Sequence, residues 1–158
     1  METEVTIKNC QPQPVDQRRL SKVVAKSLQV ERFDRSAEVS VVLTDDEHIR
    51  RLNRDYRGVD YPTDVLAFSQ LEGEPARAAE GLVALGDVII SVETATRQAA
   101  QRKYPVADEI DLLVIHGVLH LLGYDDETEA AAAEMRQHEK AVLGQLEHER
   151  TSWTRRRT

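Results

Sequence analysis

Thiols, long apolar runs and excess positive charge are all scarce in this sequence, and each scarcity excludes something. There is one cysteine, Cys10, in 158 residues. A lone cysteine cannot form an internal disulfide framework and fits a reducing cytoplasm, where the chain is expected to reside. Thiolate metal sites are excluded as well, so any metal must rely on His, Asp or Glu. No apolar run approaches the roughly 18 residues of a membrane span. The opening Met1-Glu2-Thr3-Glu4 is acidic, unlike a secretory leader, and no membrane association is expected. Positive charge is not in excess: the net charge is −7. That argues against a protein that coats nucleic acid non-specifically, but leaves room for a local basic groove. There is no internal repeat, and no low-complexity segment beyond an alanine run at Ala130–Ala133.

What is present is a globular composition, 41% apolar and 31% charged. It suggests one domain with a real core over residues 1–150. The remainder, 151–158, carries Arg155-Arg156-Arg157 and reads as a flexible basic tail. The most informative stretch is His116-Gly117-Val118-Leu119-His120-Leu121-Leu122-Gly123-Tyr124-Asp125-Asp126. If it is helical to Leu122, His116 and His120 share one face, one turn apart. Gly123 can take a left-handed conformation, end the helix and turn the chain back. Asp126 then supplies a third ligand. Three protein ligands plus water is the pattern of a catalytic zinc site. The competing view is a buried core helix with hydrogen-bonded histidines, since Ile110, Leu113, Val114, Ile115, Val118, Leu119 and Leu121 surround them.

Periodicity and turn residues give the rest. Strands are expected at Glu4–Lys8, Glu38–Leu43, Val65–Phe68 and Leu82–Ile90, the last interrupted at Gly86 by a bulge or close backbone approach. Helices are expected from the Asp16 cap to Val30, from a Thr44–Glu47 capping box to Gly58, and from the Ser91 cap to Lys103. Two more run from Ala107 to Leu122 and from Glu127 to about Glu149. Gln70–Gly81 reads as an exposed loop. The order β-α-β-α-β-β-α-α-α makes the fold α+β, a small mixed sheet of four strands packed with about five helices.

A zinc ion on two histidines and a carboxylate can activate water for hydrolysis. The spacing is close to that of the metzincin peptidases, which carry a glutamate after the first histidine as base. Here Gly117 occupies that place and leaves room for something close to the helix backbone, and peptide hydrolysis loses its proton acceptor. Arg50, Arg51, Arg54 and Arg57 form a basic cluster beside the loop Asp60–Leu66. Arg57 suits a phosphoryl group, or else pairs with Asp60 or Asp64 at a surface turn. His48, His138 and His148 are assigned no role.

Four blocks in order resemble the YbeY family of bacterial endoribonucleases. They are Leu52-Asn53-Arg54-Asp55-Tyr56-Arg57-Gly58, Pro62-Thr63-Asp64-Val65-Leu66-Ala67-Phe68, Leu85-Gly86-Asp87-Val88-Ile89-Ile90-Ser91, and His116 through Asp126. The resemblance implies a metal-dependent, single-strand-specific endoribonuclease in small-subunit rRNA 3′-end maturation and ribosome quality control. It implies one zinc ion on the last block and a functional arginine at Arg57. It implies as partners an rRNA precursor, the small ribosomal subunit and its proteins, an assembly GTPase and exoribonucleases. The family's usual Gly-Tyr-Asp-His ends here in Asp126. Aspartate still binds zinc, with a less acidic bound water and a shift towards harder ions such as manganese. Asp125, Asp64 and a substrate phosphate stand as candidate proton acceptors, and Leu66–Ser69 as an edge strand along which RNA can lie. Two other readings remain: a non-catalytic ribosome-assembly factor with an impaired site, and a metallopeptidase.

Overall fold

Alternating β-branched residues build a four-stranded sheet from β1 (Thr3–Asn9), β2 (Ala37–Thr44), β3 (Val65–Ser69) and β4 (Val83–Ser91). The computed structural model describes residues 2–71 and 81–157, with side chains described to residue 151. The spatial order is β1-β2-β4-β3; β1, β2 and β4 are parallel, and β3 runs antiparallel to β4. β3 is an edge strand, as expected from its sequence. Five helices complete the described fold: α1 (Gln17–Val30), α2 (Asp46–Arg57), α3 (Val92–Arg102), α4 (Val106–Leu121) and α5 (Glu129–Arg157). This is the anticipated α+β architecture of a mixed sheet and five helices.

Strand period decides which helix lies on which face. Val39, Val41, Leu43, Val88 and Ile90 point into the main core with α1, α4 and α5 residues. Ile89 and Leu66 point the other way, against Ile49 of α2. α4 lies at the centre of the main face. It touches β3 and β4 and is flanked by α1, α3 and α5. Its buried positions, Ile110, Leu113, Val114, Ile115, Gly117, Val118, Leu119 and Leu121, occupy most of its circumference. Beyond its first turn, only the stripe Leu112, His116, His120 is half-buried.

Two glycines permit this packing. A Cβ on Gly117 would stand 2.5 Å from Val88 Cγ1. The space that Gly117 leaves beside the helix is therefore filled by the sheet. A Cβ on Gly86 would stand 2.1 Å from the Phe68 carbonyl oxygen of the neighbouring strand, and Gly86 has a φ of 137°. The expected interruption is real: Ala84 pairs with Glu38 but Gly86 with Val39, so Leu85 is the extra residue of a bulge.

The N-terminus of α4 buries two carboxylates. Glu109 accepts from Arg102 at 3.0 and 3.1 Å and from the Tyr104 hydroxyl at 2.7 Å. Asp111 accepts from Arg19 at 2.7 Å and from Arg150 at 3.2 Å, which ties α1, α4 and α5 together. Negative charge there suits the helix dipole, and pairing offsets the desolvation.

Some boundaries differ from expectation. The α2 cap is Asp45, which accepts from the His48 N–H at 2.9 Å. Thr44 is the buried last residue of β2, and its hydroxyl meets His48 Nδ1 instead. Asp16 and Ser91 cap α1 and α3 as anticipated. α5 starts at Glu129, with the Thr128 hydroxyl accepting from Ala131 N–H, and its backbone stays helical past Glu149 to Arg157. The Gln70–Gly81 loop lies mostly outside the described residues.

Substituting the two glycines should rank them. Gly86→Ala meets a backbone carbonyl that cannot step aside and should cost about 3 kcal/mol. Gly117→Ala meets a side chain and regains about 1 kcal/mol of helix propensity, for a net loss of roughly 1 kcal/mol. Urea titration of both variants measures the order; a Gly117→Ala loss larger than that of Gly86→Ala would contradict it.

Candidate metal centre

The C-terminal end of α4 carries the two histidines. The helix is stopped by a paired arrangement of hydrogen bonds, Tyr124 N–H to Leu119 C=O at 3.1 Å and Gly123 N–H to His120 C=O at 3.0 Å. Gly123 has a φ of 106°, the positive value such a reversal requires. The turn is anchored further along. The Tyr124 ring lies 4.6 Å from that of His138, and its hydroxyl donates to Glu31, a bond that with burial pushes the phenol up to about 12. Glu31 also accepts from His138 Nδ1 at 2.7 Å. His138, to which the sequence assigned nothing, thus helps hold the turn in place.

This reversal brings Asp126 back over the histidines. His116 Nε2 and His120 Nε2 are 3.0 Å apart, and Asp126 oxygens lie 3.6 Å from the first and 4.0 Å from the second. One ligand atom from each of the three lies within 4.8 Å of the others. Two atoms bound about 2.0–2.1 Å from a tetrahedral ion stand roughly 3.3 Å apart. The imidazole nitrogens already satisfy that spacing, and Asp126 needs a shift of roughly half an ångström. The three sequence-identified groups therefore come together in a set that fits a divalent ion.

Glu139 of α5, which the sequence reading missed, completes the surroundings. It lies 2.7 Å from His116 Nδ1, with only 13% of its side chain exposed. A carboxylate on the far nitrogen fixes the tautomer so that Nε2 faces the centre. The signal was present: Glu139 sits in the apolar stripe of Met135, Val142 and Leu146, where a carboxylate is out of place.

The histidines are pushed in opposite directions. Burial works against protonating His116, but the Glu139 hydrogen bond and charge, then Asp126 and Asp64, outweigh it and raise its pKa. For His120, burial and the neighbouring His116 win, and its pKa falls. Asp64, in the loop before β3, is thus close enough for its charge to reach the centre. Its carboxylate accepts from Val65 N–H at 2.8 Å and from the Gln98 amide at 3.3 Å. Asp125 accepts from Glu127 N–H at 3.2 Å, and its charge acts on His120.

Asp64 also lines a groove of about 610 Å³ between the end of α2, the following loop and α3, together with Asn53, Arg57, Tyr61 and Arg97. The arginine cluster resolves here. Arg50 pairs with Glu47 and Asp60, Arg51 with Glu47, and Arg54 with Asp55. Arg97, across the groove, pairs with Asp46. Among the described residues Arg57 has no carboxylate partner, and Asp60 and Asp64 are engaged elsewhere. The surface-turn pairing considered for Arg57 is not formed.

Residues 6–147 match the family described as Endoribonuclease YbeY. An Endoribonuclease YbeY of Pelotomaculum thermopropionicum is 47% identical over 127 residues, covering 80% of this chain and 84% of the relative. One from Moorella thermoacetica is 48% identical over 128 residues, covering 78% and 82%. One from Roseiflexus castenholzii is 41% identical over 134 residues, covering 84% of each. A solution structure of a Thermotoga maritima protein superposes with a TM-score of 0.56 at 23% identity over 93% of both chains, a likeness of fold.

In metal-free protein the histidine pair should titrate in two separated steps. His116 should protonate above the ordinary histidine value near 6.5 and His120 below it. Glu139→Gln should lower the upper midpoint. Imidazole proton NMR across pH 5–9 (~4 units, bracketing the usual histidine range) reads both; a single shared midpoint, unchanged in Glu139→Gln, would contradict the assignment.

Proposed function

Because the chain belongs to the Endoribonuclease YbeY family, we propose that it is a metal-dependent endoribonuclease specific for single-stranded RNA. Its proposed task is 3′-end maturation of small-subunit rRNA and ribosome quality control in the cytoplasm. An rRNA precursor, the small ribosomal subunit with its proteins, an assembly GTPase and finishing exoribonucleases are the proposed partners. No helix among the described residues is long and apolar enough to cross a membrane. The observation that carries the reading is Arg57, without a carboxylate partner among the described residues, in a groove lined by Asp64, whose charge also acts on His116.

His116, His120 and Asp126 are the proposed ligands of one divalent ion. Such an ion, when bound, lowers the pKa of coordinated water and polarises a phosphoryl oxygen. Glu139 holds the His116 tautomer that leaves Nε2 free to ligate. Arg57 meets the scissile phosphate with two parallel N–H donors and stabilises the charge that grows there. Asp64 and Asp125 are the proposed candidates for proton acceptor, since the charge of each acts on one of the two histidines. Asp126, where the family usually has histidine, favours manganese more than an imidazole would, although zinc still suits the set. Gly117 is pressed on Val88, which leaves no place for a peptidase glutamate.

A labelled single-stranded oligoribonucleotide and its duplex test this directly. Metal-loaded protein should cut the single strand and spare the duplex. His116→Ala and Asp126→Ala should lose cleavage together with the bound ion, measured by elemental analysis. Arg57→Ala should keep the ion and slow cleavage by about 10²–10³. If the wild-type protein binds RNA without cutting it, the assembly-factor reading replaces this one; if Asp126→Ala keeps its metal, Asp126 is not a ligand.

A further inference from the structure

Two buried side-chain oxygens among the described residues lack a hydrogen-bond donor, Asn53 Oδ1 and Gln98 Oε1. Both residues line the Arg57 groove. Asn53 is only 3% exposed. Neither amide can be turned to help itself. The Asn53 amide nitrogen donates to the Tyr61 carbonyl at 2.8 Å, and that of Gln98 donates to Asp64 Oδ2 at 3.3 Å. Flipping either one would set oxygen against oxygen. Roughly nine in ten or more buried polar groups in folded proteins are paired, so two orphans in one groove call for a donor from outside the fold.

The wall of the same groove carries an aromatic ring in water. Tyr61 is 70% exposed and Val59 beside it 47%. The backbone beneath is braced: Tyr61 N–H donates to Val59 C=O at 3.0 Å, and its own carbonyl receives Asn53. Pro62 follows and stiffens the loop further. An exposed ring on a rigid loop, next to the unpaired Arg57, matches the elements that hold single-stranded nucleic acid, stacking with cationic contact to the backbone. A metal cation would suit the two oxygens, but it would share the groove with the Arg57 and Arg97 guanidiniums.

We infer that this groove is a nucleobase subsite, in which Tyr61 stacks on one base of the RNA and the Asn53 and Gln98 carbonyls select a base bearing an exocyclic amino group. Adenine, cytosine and, through N2, guanine offer such a donor, and uracil does not. The inference rests on the endoribonuclease reading and adds to it a preference at one nucleotide. The two oxygens lie beneath the groove surface, so the inference requires the groove floor to open as the base edge enters.

Single-stranded oligomers of adenylate, cytidylate or uridylate alone, with the metal-loaded full chain, test it by kcat/KM and Kd. The adenylate and cytidylate oligomers should be favoured over uridylate by about tenfold, the worth of one hydrogen bond. Gln98→Met, similar in length without the acceptor, should bring that ratio towards unity. Tyr61→Leu should weaken binding of all three by about tenfold, and Tyr61→Phe, which keeps the ring, should restore it. Cleavage without base preference in the wild-type chain, or a ratio unmoved by Gln98→Met, or binding unmoved by Tyr61→Leu, would overturn the subsite and leave the endoribonuclease reading standing. Absence of both binding and cleavage in the wild-type chain would overturn both.

Discussion

Everything in this molecule depends on the burial of α4 against the sheet. The helix meets β4 at Gly117, where Val88 occupies the place of a side chain. That contact sets how deep the helix sits and its rotation about its own axis. With the Gly117 side towards the sheet and α1, α3 and α5 around the rest, one stripe stays half-exposed, and it contains His116 and His120. Close packing and the presentation of two imidazoles are thus the same geometric fact. A bulkier residue at 117 would lift or turn the helix and move both nitrogens relative to Asp126.

Each polar group carried by this helix has its own answer to desolvation. Glu109 and Asp111 enter the core as carboxylates and meet arginines from α3, α1 and α5. His116 meets Glu139 from α5. His120 has less help, and its charged form is disfavoured accordingly. The partners come from elements distant in sequence, so the charges tie the helical layer together as they are satisfied. Removing one partner of such a pair leaves an isolated buried charge, which is costlier than lacking the pair altogether.

The parts legible in the sequence were those with a local cause. Period and turn chemistry placed the strands and helices, and the i, i+4 histidines with a glycine stop placed the three metal-binding candidates on one turn. The Gly86 bulge was legible because a glycine inside a β-branched run has few other uses. What was not legible was long-range. Glu139 is 23 residues from His116, and only its intrusion into an apolar helical stripe hinted at it. The fate of Arg57 was undecided because two candidate partners, Asp60 and Asp64, follow it closely in sequence. The fold settles it by giving Asp60 to Arg50 and Asp64 to Gln98. The Thr44 cap was misplaced by one residue because β2 continues through Thr44 and uses it as core.

The charge around the centre accounts for the part proposed for an arginine. Asp126, Glu139 and Asp64 surround two imidazoles of which one resists protonation. Left to themselves these groups present a negative field, and a phosphodiester approaching it is repelled. A divalent ion would offset two of these three negative charges, and with aspartate in place of a third histidine one remains. The protein as a whole adds to the difficulty at −7. A positive group must therefore be kept free of the surrounding carboxylates. Arg50, Arg51, Arg54 and Arg97 are each neutralised by a nearby acid. Among the described residues Arg57 is not, and it lines the groove that Asp64 also lines. The neighbouring pairs matter because they occupy the acids that would otherwise capture Arg57. An acidic protein can in this way offer RNA one cationic foothold beside its candidate metal centre without a basic surface that would hold nucleic acid indiscriminately.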